Sequence, residues 1–320
     1  MKKILLAAVS ALLVAVLAVS VCACSTGVRV KVIGVMLTGE EYGYCVDKDN
    51  TELMTAVNEL IEDLCGSDPY NAEAPTTDAE GVQYDLDGDG TPEKVTFDTL
   101  YKAFTQEDKT YVVQGAYAEV PSDKGEEDCL IVATNAEFEP FEFMSGDSYT
   151  GIDMHIANML AQKLGKTLVI KNMDFEVVIT DVENGASDIG MAGLTINRGR
   201  EQVVSFSKGY YTTSQYLAVA ESDTRFDDCK TEADVVAVIN GLGSVSAGAA
   251  TGQTGYFYIK GSTDFEFDGF KDVDVRDFES VALAVQNLSD GRVEFVVADG
   301  DTLRSAVEAV NERIPAEDAE

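Results

Sequence analysis

The stretch LIVATNAEFEPFEF, residues 130–143, puts Leu130, Ile131, Val132 and Ala133 in one apolar run and then turns through Phe138, Pro140 and Phe141. A short apolar run closed by turn residues reads as a buried strand. The chain after it, GIDMHIANMLAQKLG (residues 151–165), places Ile152, Ile156, Met159, Leu160 and Leu164 on one helical face, and Gly165 stops the helix. TLVIKNM (residues 167–173) is a second strand. A strand, a helix and a strand in that order form a crossover, which joins parallel strands. ASDIGMAG (residues 186–193) adds another strand. FESVALAVQNLSDGRVEFVVAD (residues 278–299) reads as helix, turn and strand, with Val293, Phe295 and Val297 alternating. The expected fold class is α/β, with mainly parallel sheets flanked by helices.

Working outward, VRVKVIGV (residues 28–35) is a strand and NTELMTAVNELIEDL (residues 50–64) a helix with Leu53, Val57, Leu60 and Ile61 on one stripe. Residues 66–94 are rich in Gly, Pro, Asp and Thr and read as loop. FDTLYKAF (residues 97–104) is a short helix. Residues 105–128 form a polar connector, with a small strand at residues 111–113.

The 320 residues are 45% hydrophobic and 25% charged, an ordinary globular balance. Fifty-seven acidic against 23 basic residues give a formal charge of −34, which argues against nucleic-acid binding because a phosphate backbone would be repelled. Lys2 and Lys3 precede an apolar run over residues 4–19, the pattern of an export signal over residues 1–23. Ala23 before Cys24 resembles a bacterial lipoprotein cleavage box, so Cys24 is the expected lipidated residue and 24–27 the tether. The body is then expected outside the cytoplasm, held at the membrane by lipid only. Cys45, Cys65, Cys129 and Cys229 show no zinc-ligand spacing, and any disulfide pairing stays open.

From residue 130 to about 299 the chain resembles the family 3 extracellular solute-binding proteins, which serve polar amino-acid ABC importers. ATNAEFEPFEF, GIDMHIANMLAQKLG, MDF, DIGMAGLTINRGREQVVSFSKGYYTTSQYLAV, ATGQTGYFY and VEFVVAD carry the likeness, in the family's order. The family's closing segment stands at the front instead. VKVIGVMLTGEEYGYCVDKDNTELMTAVNELIEDL (residues 30–64) and TFDTLYKAF (residues 96–104) resemble it. The resemblance therefore implies a two-lobed periplasmic-binding-protein-like fold of type II in circularly permuted order. Lobe 1 would be residues 42–104 and 129–213, with an acidic insertion at 66–94. Lobe 2 would be residues 28–38 and 219–313. Residues 105–128 would join the usual termini, and 314–320 would be an acidic tail. The lobes would cross near residues 38–42 and 214–217.

The resemblance also implies a ligand set. Arg200 would take an amino acid's carboxylate, since a guanidinium fork matches it in two prongs. Thr195 would donate beside it, and Thr254 would close over it from ATGQTG. Asp299, at the end of a strand, would take the ammonium group together with the Gly193 carbonyl and the Thr195 hydroxyl. Arg198 and Asp301 are the neighbouring alternatives. Phe138 and Phe175 would wall the side-chain pocket. Asn135 stands where members binding cationic side chains often carry Asp, and Glu137 keeps the preference for a basic ligand open. No catalytic residue and no required cofactor are expected; the partners are a polar amino acid and an ABC permease. An enzyme on the same fold, with Glu137 or Glu176 as acid, and a ligand-sensing lipoprotein are the alternatives.

DLDGDGTPE (residues 85–93) sets Asp85, Asp87 and Asp89 at alternate positions, followed by Glu93. Alternate carboxylates around a glycine turn can converge on a structural calcium ion. The same Asp-Gly pattern also makes a metal-free turn, and both readings stand. The single histidine, His155, reads as a solvated helix residue.

Overall fold

The computed structural model describes residues 27–106 and 111–314. The export signal, Cys24, four residues of the connector and residues 315–320 of the tail lie outside the described residues.

Two five-stranded sheets organise the chain. In the first, β6 (Cys129–Thr134) lies between β10 (Thr167–Asn172) and β11 (Ile189–Gly190), parallel to both. Next to β11 come β3 (Cys45–Val46), antiparallel, and then β12 (Ser205–Phe206). The second sheet runs β1 (Val30–Ile33), β14 (Gln215–Ala220), β17 (Phe295–Asp299), β15 (Val245–Ala250), β16 (Val273–Phe278). Only β14 runs against the others, pairing antiparallel with both β1 and β17, while β15 is parallel to β17 and β16. Each sheet thus has one reversed strand, and in both it lies next to the run of three parallel strands.

Between the sheets lies a two-stranded ladder, β2 (Glu40–Tyr42) against β13 (Tyr211–Thr213). It holds the two crossings. The second crossing ends earlier than the sequence reading placed it, because Leu217 already pairs with Ile33 and Val297 inside the second sheet.

Helices cover the sheets. α1 (Thr51–Cys65) starts at Asn50, whose side chain accepts from the Leu53 N–H at 3.2 Å, and buries the stripe Leu53, Val57, Leu60 and Ile61. With α2 (Phe97–Thr105) and α3 (Ile152–Leu164) it packs into the core of the first lobe around Leu130, Val132 and Tyr210. In the second lobe, α8 (Val281–Ser289) and α9 (Gly300–Asn311) cover one sheet face around Val296 and Leu303. α6 (Glu232–Gly241) and α7 (Thr254–Lys260) cover the other around Phe295 and Val297. α4 (Phe175–Glu183) and the one-turn α5 (Arg198–Glu201) complete the helices used below.

Three sequence expectations change. The acidic insertion contains a hairpin, β4 (Val82–Tyr84) with β5 (Glu93–Val95), where composition reads only loop. Tyr70, Tyr84 and Leu86 are buried, and Val95 just beyond them, so these inward residues anchor a largely polar segment. His155 is 1% exposed, not solvated. Its Nδ1 lies 3.0 Å from the Tyr84 hydroxyl and its Nε2 3.1 Å from the Tyr111 carbonyl. The hairpin and the connector cover the polar face of α3, and burial pushes the imidazole down to about 4. The residues 111–113 make a single bridge, Val112 to Thr150, in place of a strand. The four cysteines in the described residues are unpaired.

Candidate functional site

The segment between β11 and α5 lies along β2. Gly43 N–H donates to the Leu194 carbonyl at 3.0 Å, and Ile196 N–H to the Glu41 carbonyl at 3.0 Å. This pins Thr195 of the first lobe beside the crossing strand. Asn197 then caps α5, its Oδ1 accepting from the Arg200 N–H at 3.0 Å. The cap turns Arg200 inward. Its Nη1 donates to the Thr195 carbonyl at 2.8 Å and its Nη2 reaches the Gly252 carbonyl of the second lobe at 3.4 Å. The guanidinium carbon stands 5.3 Å from the Phe175 ring and 5.7 Å from the Phe265 ring. Burial lowers its pKa to about 10, against the pull of Cys45, Glu40 and Asp299, so it stays charged at neutral pH. Arg198 instead points outward and pairs with Glu266 at 3.2 Å.

From the second lobe, β17 ends in Asp299, 4% exposed, directly opposite Gln215. Its Oδ1 accepts from the buried Tyr42 hydroxyl. Burial, and then the charge of Glu40, raise Asp299 to about 7; the hydrogen bonds from Tyr42 and Gln215 work the other way. Asp301 is engaged elsewhere, by Tyr101, Tyr211 and Arg304. Thr254, first residue of α7, brings its hydroxyl 3.0 Å from that of Thr195 across the lobes.

Glu40, Tyr42, Gln215 and Phe265 are absent from the sequence-derived set. Glu40 is central: its Oε2 accepts from Thr195 Oγ1 at 2.8 Å, and its Oε1 from Gln215 Nε2 at 3.0 Å and Thr38 Oγ1 at 2.6 Å. It ties both lobes from the crossing strand. The motif GEEYG held the only local signal, two acids before an aromatic, and nothing in it aims either acid at a site about 155 positions away.

Phe138 and Gly193 meet, because a Cβ at Gly193 would sit 2.6 Å from the Phe138 ring. Gly193 also has φ +54, so glycine is needed there twice over. Phe138 stands 6.2 Å from the Tyr42 ring. Phe175 lies against Arg200, and the structure thus places this expected pocket wall on the guanidinium. Asn135 is 8% exposed and spends its amide N–H on the Met173 carbonyl at 3.0 Å. Beneath Gly193 lies an acid pair. Asp153 accepts from Gly193 N–H at 3.2 Å, Tyr44 at 3.0 Å and Tyr210 at 2.9 Å. Burial raises it to about 6 and holds Glu142, fully buried beside it, far above the usual carboxylate range.

At the insertion, the carboxylates of Asp85, Asp87 and Asp89 lie within 4.8 Å of one another. Asp85 Oδ1 is buried with no hydrogen-bond partner, which suits a hard cation. Glu93 does not join them; it is held in the hairpin ladder opposite Tyr84.

Residues 130–319 match the model of the bacterial extracellular solute-binding proteins, family 3. The chain is similar to the arginine-binding extracellular protein ArtP of Bacillus subtilis (strain 168), 34% identical over 101 residues, which is 32% of this chain and 39% of that protein. It is also similar to a cyclohexadienyl dehydratase of Pseudomonas aeruginosa, 28% identical over 115 residues, 35% of this chain and 43% of that one. The alignments thus span about two fifths of these relatives. Among solved structures, the arginine-bound truncated ArgBP of T. maritima is 28% identical, with a TM-score of 0.47 over 57% of this chain and 79% of that one.

Proposed function

Because the chain belongs to the bacterial extracellular solute-binding proteins of family 3, we propose that it captures a polar α-amino acid between its two sheets for an ABC importer. One observation carries this reading. A guanidinium, two carboxylates and two threonine hydroxyls from both lobes and the crossing strand converge at one place. A zwitterion needs that combination: Arg200 for the carboxylate, Asp299 for the ammonium, and Thr195 and Thr254 to seal them. Phe138 walls the side chain, with Asn135 at the rim. Glu40 and Asp299 outnumber Arg200, which favours a cationic ligand, and the similarity to an arginine-binding protein makes arginine the first to test. Calorimetry with the twenty L-amino acids decides the matter. Binding of at least one, lost in Arg200→Ala, is the expected result; no binding by any of them overturns the reading.

The protein performs no chemistry in this proposal. An enzyme on the same fold is the second reading, favoured by the similarity to a dehydratase and by the Glu142–Asp153 pair below Gly193. Turnover of prephenate or arogenate would establish it.

The proposal extends to three features of the whole chain. Cys24 carries the lipid that anchors the protein outside the cytoplasm, which mass spectrometry of the mature N-terminus would detect. Asp85, Asp87 and Asp89 hold a structural calcium ion. The order of the chain is circularly permuted. In support, β1 and β3 precede the family-matched residues, yet one edges the second sheet and the other lies inside the first.

A further inference from the structure

Between α7 and β16 the second lobe makes a tight hairpin turn. Ser262 N–H donates to the Phe267 carbonyl at 2.9 Å and Phe267 N–H returns the bond to Ser262 at 2.9 Å. Glu266 within it has φ 60, and is the one non-glycine residue with positive φ among those described. A side chain in that region is strained unless its surroundings hold it. The turn is braced from behind by a ring stack, Phe265 with Phe257 at 5.0 Å and with Phe267 at 5.8 Å. It reaches across to the first lobe at three consecutive residues. Asp264 lies so close to Gly199 that a Cβ there would be 2.7 Å from its Oδ2 and 3.0 Å from its own Cβ. Phe265 faces the Arg200 guanidinium, as Phe175 does from the first lobe. Glu266 pairs with Arg198. All three contacts fall on α5, the single turn that aims Arg200.

We propose that this hairpin is a closing strap and that Phe265 is a positioning residue for Arg200. Phe175 from the first lobe and Phe265 from the second hold the guanidinium with their rings. Its N–H edges then stay in one plane, available to a carboxylate. A ring face attracts a cation and excludes water from it. The second ring arrives only when the lobes meet, so closure itself completes the anion site. The Glu266–Arg198 pair is exposed on both sides and adds little, since such pairs are screened by solvent. The work falls to Phe265.

The part about ligand rests on the amino-acid-binding reading, and the experiment separates the two. The first arm uses no ligand. A chain carrying Gly199→Cys and Asp264→Cys, oxidised, should form a disulfide between the lobes, read by mass spectrometry of the linked peptides. Native Cys45, Cys65 and Cys129 are buried and serve as the internal control. The second arm uses whichever amino acid the wild type binds in a thermal-shift screen. Phe265→Ala should release it roughly 3- to 30-fold faster, with association unchanged within about 2-fold. Phe265→Tyr should restore the slow release, and Glu266→Gln should leave it unaltered. Failure of the disulfide to form, or release from Phe265→Ala at the wild-type rate, overturns the strap. Absence of any binder for the wild type overturns the functional reading, while the disulfide arm still decides where the strap sits.

Discussion

At the scale of single residues, the site turns on how few charges it holds and how deeply. Among the described residues Arg200 is the one guanidinium facing Glu40 and Asp299, and its own partners are two carbonyls, weak competitors for a carboxylate. Arg200→Ala should cost ~2–5 kcal/mol of binding because a desolvated carboxylate loses its charge partner; calorimetry at near-native affinity would refute the assignment. Asp299 gives a prediction in pH. Held near 7 by burial and Glu40, it carries a proton in acid, and a neutral carboxyl is a poor partner for an ammonium group. Affinity should therefore rise as pH increases through about 7. Asp299→Asn should bind weakly with no such rise, and titrations at pH 5.5 and 8 would show a flat wild-type profile if the residue is misplaced. The family resemblance pointed to Arg200 and Asp299, and the structure buries both near Glu40. It did not point to Glu40, because the role of that residue comes from the ladder of β2 against the Thr195 segment, a contact between distant parts of the chain.

At the scale of elements, periodicity reads which faces are apolar but not which polar faces are later covered. α3 shows the difference. Its apolar stripe was plain, yet Asp153, His155 and Asn158 on its other sides are buried too. Asp153 is covered by Tyr44, Tyr210 and Gly193, and His155 and Asn158 by the β4–β5 hairpin, which reads as loop, and the polar connector. Asn158 donates to the Tyr84 hydroxyl at 2.9 Å, and the same hydroxyl meets His155, so the hairpin is tied to α3 by a small polar network. Chelation is the test of this element. If Asp85, Asp87 and Asp89 hold calcium, EDTA should lower the melting temperature by several degrees, because an ion bound only by the native state stabilises it. Identical melts in EDTA and in excess calcium would dispose of the ion.

At the scale of the whole molecule, buried protons set the stability profile. Asp153 and Asp299 are raised to about 6 and about 7, and Glu142 is raised further than the usual range. The unfolded chain would release these protons near pH 4. Their contribution to stability is full below that pH and is lost as pH rises through the folded values. His155, lowered to about 4, acts oppositely: the native chain refuses a proton that the unfolded chain takes up below roughly 6.5. Three carboxyls outweigh one imidazole, so stability should fall as pH rises from about 4 to 7. Glu142→Gln replaces a carboxyl that burial holds far above its usual range with a neutral side chain of the same shape. It should be more stable than the wild type at pH 8 by roughly 1–3 kcal/mol, with the gap closing near pH 5; urea melts with no gap at pH 8 would show that Glu142 ionises without cost. The permuted order has its own test. A chain in which residues 129–314 precede residues 28–104 should fold and bind the same amino acid, since each strand would keep its neighbours. Loss of folding would mean that the connector over residues 105–128, which bridges Tyr117 to Val169 at the edge of β10, is needed where it stands.

The alternation of apolar strands and striped helices was enough to determine an α/β fold, because those patterns record which side chains must leave water. The resemblance to a known family, carried by motifs a few residues long, implied Thr195, Arg200, Thr254 and Asp299 as ligand residues, and the structure brings them to one place. The tertiary structure alone decided the rest. It set Glu40 and Tyr42 between the lobes, stacked Phe265 on Arg200, and buried Glu142 against Asp153. The physical reason is the same in each case: these are pairings between segments tens to hundreds of residues apart, and a sequence read locally carries no record of what will be folded against it.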